Sequence, residues 1–272
     1  MTERDLIRFA TADGDLVVET LGTATGEWPL VICLPGMGDL RSAYRHLAPL
    51  LVERGFRVAL VDLPGHGDST AGAIPSQRRI ADHVASIARE LGGPAIVIGH
   101  SYTPDAALLA TQLAPELVLG AMCIGPWAGA PKQTGLGVAL ALAVARSPRL
   151  WGMFYRSLHR LAPDDLREHV AAIRRSMRRP DGPATVVRMA GGIGKDAIDA
   201  RTTQTAPTLV VMGERDPDFR DPRAEAEAFA APFAGEVRMV PRAGHYPHAE
   251  TPAFVADLVD ELAARSLESA GA

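Results

Sequence analysis

Residues 96–110 read "IVIGHSYTPDAALLA". An apolar run ends at Gly99, His100 and Ser101 follow, and after Pro104 an alanine- and leucine-rich segment begins. A continuous apolar run of this kind suits a strand buried on both faces. The segment after Pro104 suits a helix, so the chain turns a sharp corner with one serine at its apex. In a parallel sheet, ligands bind outside the carboxyl ends of the strands, and Ser101 stands at such an end. First-turn amides of a helix lack intrahelical acceptors, so the backbone N–H of Tyr102 is placed to donate to an anion beside Ser101.

Outward from this corner, strand and helix patterns alternate. "DLIRFATADGDLVVETLG" predicts a hairpin turning at Asp13-Gly14. "PLVICLP" (29–35) predicts a strand buried on both faces, and "FRVALVDLPG", "PAIVIGH" and "LVLGAMCIGP" predict further strands, as do "PTLVVMG" and "EVRMVPRAGH" much later. "SAYRHLAPLLVERG" predicts one helix stopped by Gly55. Ile80, Val84, Ile87 and Leu91 share a helical face, and further helices are expected near Ala224–Phe229 and over "PAFVADLVDELAAR", with a frayed tail "SLESAGA". The expected fold class is α/β: a mainly parallel sheet of about eight strands with helices on both faces. Between Trp127 and about Gln204 the strand signal vanishes, while Leu166, Val170, Ile173 and Met177 form a helical stripe. The expected organisation is therefore a core of residues 1–126 and 204–272 interrupted by a helical cap at 127–203.

Composition excludes several classes. At 272 residues and net charge −4, the chain has a sizeable core and no clustered basic face for nucleic acid. The N-terminus lacks the basic-then-apolar order of a signal peptide. The longest apolar run, Gly135–Ala145, is too short to span a bilayer. A cytoplasmic protein with no membrane segment is expected, monomeric or homodimeric, acting on a small molecule. Cys33 and Cys123 lie within apolar runs and are expected as buried thiols. No phosphate loop, dinucleotide fingerprint or metal-ligand spacing is present, so neither cofactor nor metal is expected.

Gly99-His100-Ser101-Tyr102-Thr103 resembles the nucleophile elbow, G-x-S-x-G, of the α/β-hydrolase fold superfamily. It departs at Thr103, where glycine is usual and a β-branched residue would crowd the corner. "LPGMGD" (34–39) resembles the family's His-Gly-x-x-Gly loop with Pro35 in place of histidine. That resemblance implies the Met37 amide as the oxyanion donor that joins Tyr102. "VDLPGHGDS" (61–69) resembles the loop after the next strand, and the order serine, acid, histidine is the family's own.

The acid is expected in "TLVVMGERDPDF", where the family's spacing points to Asp216, with Asp218 as the alternative and Glu214 as a solvated residue. Asp-Pro-Asp is also strong turn chemistry. In "RAGHYPHAETP", His245 follows Ala-Gly at a strand end, as in the family, while His248 is expected to cap the last helix or to face solvent. Serine is a poor nucleophile until an imidazole takes its proton, and an acid fixes that imidazole's tautomer. His100 is expected to pack beside the elbow, His66 to be held by local hydrogen bonds, and Asp105 to favour a first helical turn.

Trp127, Trp151, Phe154 and Tyr155 are candidate pocket residues, although the last three suit equally a seam between cap and core. Arg167, Arg174, Arg175, Arg178 and Arg179 suit a solvated face or an anionic substrate. The expected activity is cleavage of a small ester through an acyl-serine. A serine at the elbow, where the family's haloalkane and epoxide hydrolases carry aspartate, disfavours those reactions. Carbon–carbon bond hydrolysis, perhydrolysis, hydroxynitrile lysis and ligand binding without turnover stay open on the same fold.

Overall fold

The structure is a computed structural model that describes residues 4–12, 14–23, 28–70, 76–129, 136–190 and 201–271. Its centre is an eight-stranded sheet. The strands are β1 (Arg4–Thr11), β2 (Gly14–Leu21), β3 (Leu30–Leu34), β4 (Val58–Asp62), β5 (Ala95–His100), β6 (Val118–Ile124), β7 (Thr208–Gly213) and β8 (Glu236–Val240). Their spatial order is β1-β2-β4-β3-β5-β6-β7-β8. The β1–β2 and β2–β4 pairs are antiparallel and the other pairs parallel. Gly14, at φ +116°, opens β2 as the hairpin pattern requires, and Asp13 of the expected turn lies outside the described residues.

Side chains of a strand alternate between faces, and in β3 through β7 both faces are dry. Ile32, Leu34, Val61, Val97 and Val210 point to one side. That side is covered by α2 (Gln77–Glu90), α3 (Pro104–Leu113) and α8 (Pro222–Ala230). Val31, Cys33, Leu60, Ile98 and Val211 point to the other, under α1 (Leu47–Glu53) and α10 (Pro252–Gly271). Each fully buried Val, Leu or Ile contributes about 1.5–3 kcal/mol relative to an exposed one. Cys33 and Cys123 are free and buried.

Two helix expectations need correction. Residues 42–55 are not one helix: a 3-10 turn at Arg41–Tyr44 precedes α1. Pro49 accounts for the break, because its ring clashes with the carbonyl four residues back and it donates no N–H. The tail is not frayed: α10 continues to Gly271, and Ser266 is fully buried against Gly120 of β6, where any larger side chain would collide with it.

Between β6 and β7 the chain forms α4 (Leu136–Arg146), α5 (Pro148–Ser157), α6 (Leu166–Ser176) and α7 (Gly182–Ala190), with no strand among the described residues. Their apolar stripes, including Trp151, Tyr155, Val170 and Ile173, form a separate cluster that also takes in Leu40 and Tyr246 from the sheet's carboxyl edge. A four-residue helix, α9 (Pro247–Glu250), follows β8. No helix among the described residues is long and apolar enough to cross a membrane.

Candidate active site

Parallel pairing brings the ends of β3, β5, β6, β7 and β8 to one edge of the sheet. Leu34 pairs with Gly99, His100 with Ile124, and Gly213 with Val240. The candidate site is built from the loops that leave these ends.

Ser101 has φ +57°, one of three non-glycine residues with a positive φ among those described. That conformation is costly for a side chain and is held by its surroundings. The Ser101 amide donates to Ile124 O at 2.8 Å. Gly99 gives the turning chain room, since a Cβ there would lie 2.5 Å from Thr103 O. Gly36 does the same for the β3 loop, since a Cβ there would lie 3.1 Å from Ser101 Cβ.

Thr103 does not crowd the corner. Its φ is −103°, so no glycine is required. Its buried hydroxyl accepts the His100 N–H at 2.9 Å and donates toward the Leu34 carbonyl at 3.1 Å. The β-branched residue therefore ties the elbow to the end of β3.

His245 is held on every side. Its Nδ1 donates to Asp216 Oδ2 at 2.7 Å, with both side chains essentially inaccessible. Its N–H donates to Leu158 O at 2.9 Å, and its carbonyl accepts from His100 Nε2 at 2.9 Å. The imidazole rests on Gly125, where a Cβ would lie 3.1 Å from Cε1. Gly125 directly follows Ile124, the acceptor of the Ser101 amide, so serine and imidazole flank one point of the β6 end. The Asp–His half of the constellation is formed, whereas Ser101 Oγ makes no hydrogen bond to His245. Such contacts are often long before a ligand binds.

Asp216 is fixed in turn: its Oδ1 accepts the Asp218 amide at 3.0 Å. Asp218 does not share the Nδ1 contact, and its Oδ2 lies 3.7 Å from Nε2. Glu214 is exposed. Burial disfavours charge on His245, but Asp216 and Asp218 outweigh it and push the imidazole up to about 9.

Of the two amides singled out for anion binding, that of Met37 has no acceptor among the described residues. Tyr102 precedes α3, and its carbonyl accepts from Gln77 Nε2 at 2.6 Å. The β3 loop is braced by residues that sequence reasoning passed over or underrated. His66 Nε2 accepts the Gly38 N–H at 3.0 Å while its Nδ1 donates to Pro64 O, so it bridges two loops rather than serving only its own. Asp39 is fully buried and accepts from Leu40 N, His169 Nε2 and Tyr155 OH at 2.7, 3.0 and 3.2 Å. Burial opposes its charge, yet His169 holds its carboxyl below the ordinary value. An acid inside a glycine loop was the only available signal for this role.

The candidate pocket residues separate. Trp151 is buried on Gly38 and donates to its carbonyl at 3.1 Å, and Tyr155 is buried against Asp39 and Tyr246. These two form the seam. Phe154 is on the outer side, 37% exposed. Trp127 packs on Phe219 at 4.8 Å, and Phe219 in turn lies 6.2 Å from His245. Arg167, Arg175 and Arg178 are exposed, while Arg179 bonds Gly67 O. Arg174 is half-buried beside Gly152.

His248 neither caps a helix nor faces solvent. It is fully buried and stacked on Tyr44 at 4.5 Å, because α9 turns inward beneath the site. His100 packs beside the elbow as expected, and burial lowers it to about 3. Asp105 is ion-paired with Arg201 at 3.1 Å. No group of three His, Cys, Asp or Glu among the described residues is disposed to hold a metal.

Residues 31–258 match the model of the alpha/beta hydrolase family. The chain belongs to that family. Epoxide hydrolase B of Mycobacterium tuberculosis is 30% identical over 106 residues, which span 37% of this chain and only 30% of that enzyme. The sn-1-specific diacylglycerol lipase ABHD11 of mouse is 24% identical over 258 residues, 87% of this chain and 81% of the relative. A thermophilic esterase from Thermogutta terrifontis superposes with a TM-score of 0.75 at 23% identity, covering 96% of this chain and 99% of its own. The family and this last likeness place the eight-stranded sheet and its helices in the α/β-hydrolase fold.

Proposed function

We propose that the protein is a serine hydrolase that cleaves small carboxylic esters through an acyl-serine intermediate. The observation that carries this reading is the buried 2.7 Å bond from His245 Nδ1 to Asp216, at the same sheet edge as a serine with φ +57°. A carboxylate on Nδ1 leaves Nε2 as the proton acceptor.

Ser101 Oγ attacks the acyl carbon as His245 Nε2 takes its proton. The Met37 and Tyr102 amides receive the oxyanion. His245 then gives the proton to the departing alkoxide, which leaves as alcohol. Water next attacks the acyl-serine, again losing its proton to His245, and the acid departs as Ser101 recovers the proton. Residue 101 supplies a hydroxyl and not a carboxylate, which favours an acyl substrate over an epoxide. In this reading residues 127–203 act as a cap, with Trp127 packed on Phe219.

Labelling with a fluorophosphonate, paired with p-nitrophenyl acetate and butyrate turnover, tests the proposal. Wild type is expected to label and turn over, and Ser101→Ala to do neither while staying folded. A folded wild type that neither labels nor turns over these esters would mark a ligand-binding protein instead.

A further inference from the structure

His245 stands between two carboxylates. Asp216 takes Nδ1 at 2.7 Å, and the Oδ2 of Asp218 lies 3.7 Å from Nε2 on the other edge of the ring. The same short turn carries both acids, and the Asp218 amide bonds Asp216 Oδ1 at 3.0 Å. Asp218 is thus fixed relative to the ring by its own backbone. Its side chain is only 17% exposed, so solvent screens the pair poorly.

We propose that Asp218 is a positioning residue that keeps the His245 proton on Nε2 in the resting protein and so restrains the imidazole from acting as a base at neutral pH. This rests on the reading of His245 as the base for Ser101. Nε2 has the Asp218 carboxylate as its charged neighbour and no hydrogen bond to Ser101. An imidazolium in this position is stabilised from both edges at once. A Ser–His–Asp set with one carboxylate loses its proton more readily.

The other groups around the ring do not supply the Nε2 charge. Glu250 of α9 is engaged by the amides of Gly244, Arg160 and Leu161 and acts on His245 more weakly than either aspartate. His100 of β5, His248 of α9 and His159 after α5 are all shifted toward their neutral forms, first by burial. Phe219 and Tyr246 present rings, and Tyr246 is held as a neutral phenol. Asp218 is itself pushed up by burial, against the pull of His245.

The test is the pH dependence of Ser101 labelling by a fluorophosphonate, together with the titration of the His245 Cε1–H signal by NMR, assigned through its loss in His245→Gln. Removing one opposite charge at this distance lowers an imidazole by roughly one unit or more. Asp218→Asn is expected to shift the acid limb and the NMR titration downward together, and to label several-fold faster than wild type at pH 7. Asp218→Glu is expected to return both toward wild type. A limb and an NMR titration that do not move in a folded Asp218→Asn protein would overturn the inference. Should Asp218→Asn not fold, Asp218→Ser is read the same way. Failure of the serine-hydrolase reading looks different: wild type is then unlabelled at every pH, while the His245 signal still reports whether Asp218 governs its charge.

Discussion

The amide of Gly38 donates to Nε2 of His66 across 3.0 Å, so the loop that ends β3 hangs on the loop that ends β4. Gly38 has φ +69°, and a Cβ there would lie 2.5 Å from the Trp151 ring. One face of this residue is thus closed by an indole and its amide is held by an imidazole. Burial keeps His66 neutral, which it must be to accept that hydrogen bond.

His66→Ala is expected to leave the sheet intact and to loosen the segment that carries the Met37 amide. Losing one oxyanion donor costs about 10²–10³ in rate, and a loosened donor costs less, so kcat is expected to fall about ten- to a hundredfold with KM little changed. Steady-state kinetics on p-nitrophenyl butyrate checks this. A depressed histidine stabilises the fold fully above its unfolded value and loses that contribution as pH falls through the folded one. The wild type should therefore lose stability below about pH 6.5 more steeply than His66→Ala.

A histidine held up to about 9 is protonated at neutral pH. The rate of Ser101 labelling is expected to rise about tenfold per pH unit up to that value and then level off. The sign for stability is opposite to that for activity. The raised group stabilises the fold fully below its unfolded value near 6.5 and loses that contribution as pH rises through about 9. Asp216→Asn removes the Nδ1 acceptor and is expected to cut turnover by about 10⁴ while the fold persists. Near-normal turnover in that variant would assign the acid elsewhere.

Asp39 joins the β3 loop to α5 and α6 through Tyr155 and His169. Asp39→Ala leaves a buried hydroxyl and a buried imidazole without their acceptor, each costing about 1–3 kcal/mol. Thermal unfolding is expected to drop by about 4–10 °C at this chain length. Turnover should fall as well, because Trp151 of the same helix bonds the Gly38 carbonyl. Calorimetry and kinetics on one preparation separate the two effects.

The Thr103 hydroxyl predicts a contrast between two substitutions. Thr103→Ser keeps both hydrogen bonds and is expected to act nearly as wild type. Thr103→Val keeps the shape but strands the His100 amide, while the Leu34 carbonyl keeps only the Tyr44 hydroxyl, and is expected to lose about 1–3 kcal/mol and most of its turnover. Equal behaviour of the two variants would show that the hydroxyl does not hold the corner.

The strands were legible because each is a short apolar run bounded by Gly, Pro or Asp, and both faces of β3 through β7 are dry. The order of Ser101, Asp216 and His245 along the chain was legible for the same reason, as Ser101 directly follows β5 and the other two lie in the loops that leave β7 and β8. The choice between Asp216 and Asp218 was not. Both lie in one turn, and only the fold shows that the first takes Nδ1 while the second approaches Nε2. His248 suggested a surface residue because a short polar-looking segment does not reveal that it turns inward onto Tyr44. Pro49 was in plain view, and its effect on residues 42–55 was underweighted.

By itself the sequence determined the alternation of strand and helix, the parallel sheet and the serine at its corner, because periodicity and turn chemistry act between near neighbours. Tertiary structure alone decided what holds the site. Asp39 meets Tyr155 and His169 across 116 and 130 residues of chain, His66 meets Gly38 across 28, and His245 meets Asp216 across 29. Buried polar groups must find partners wherever the packed chain offers them, and a linear pattern does not record which distant partner the packing supplies.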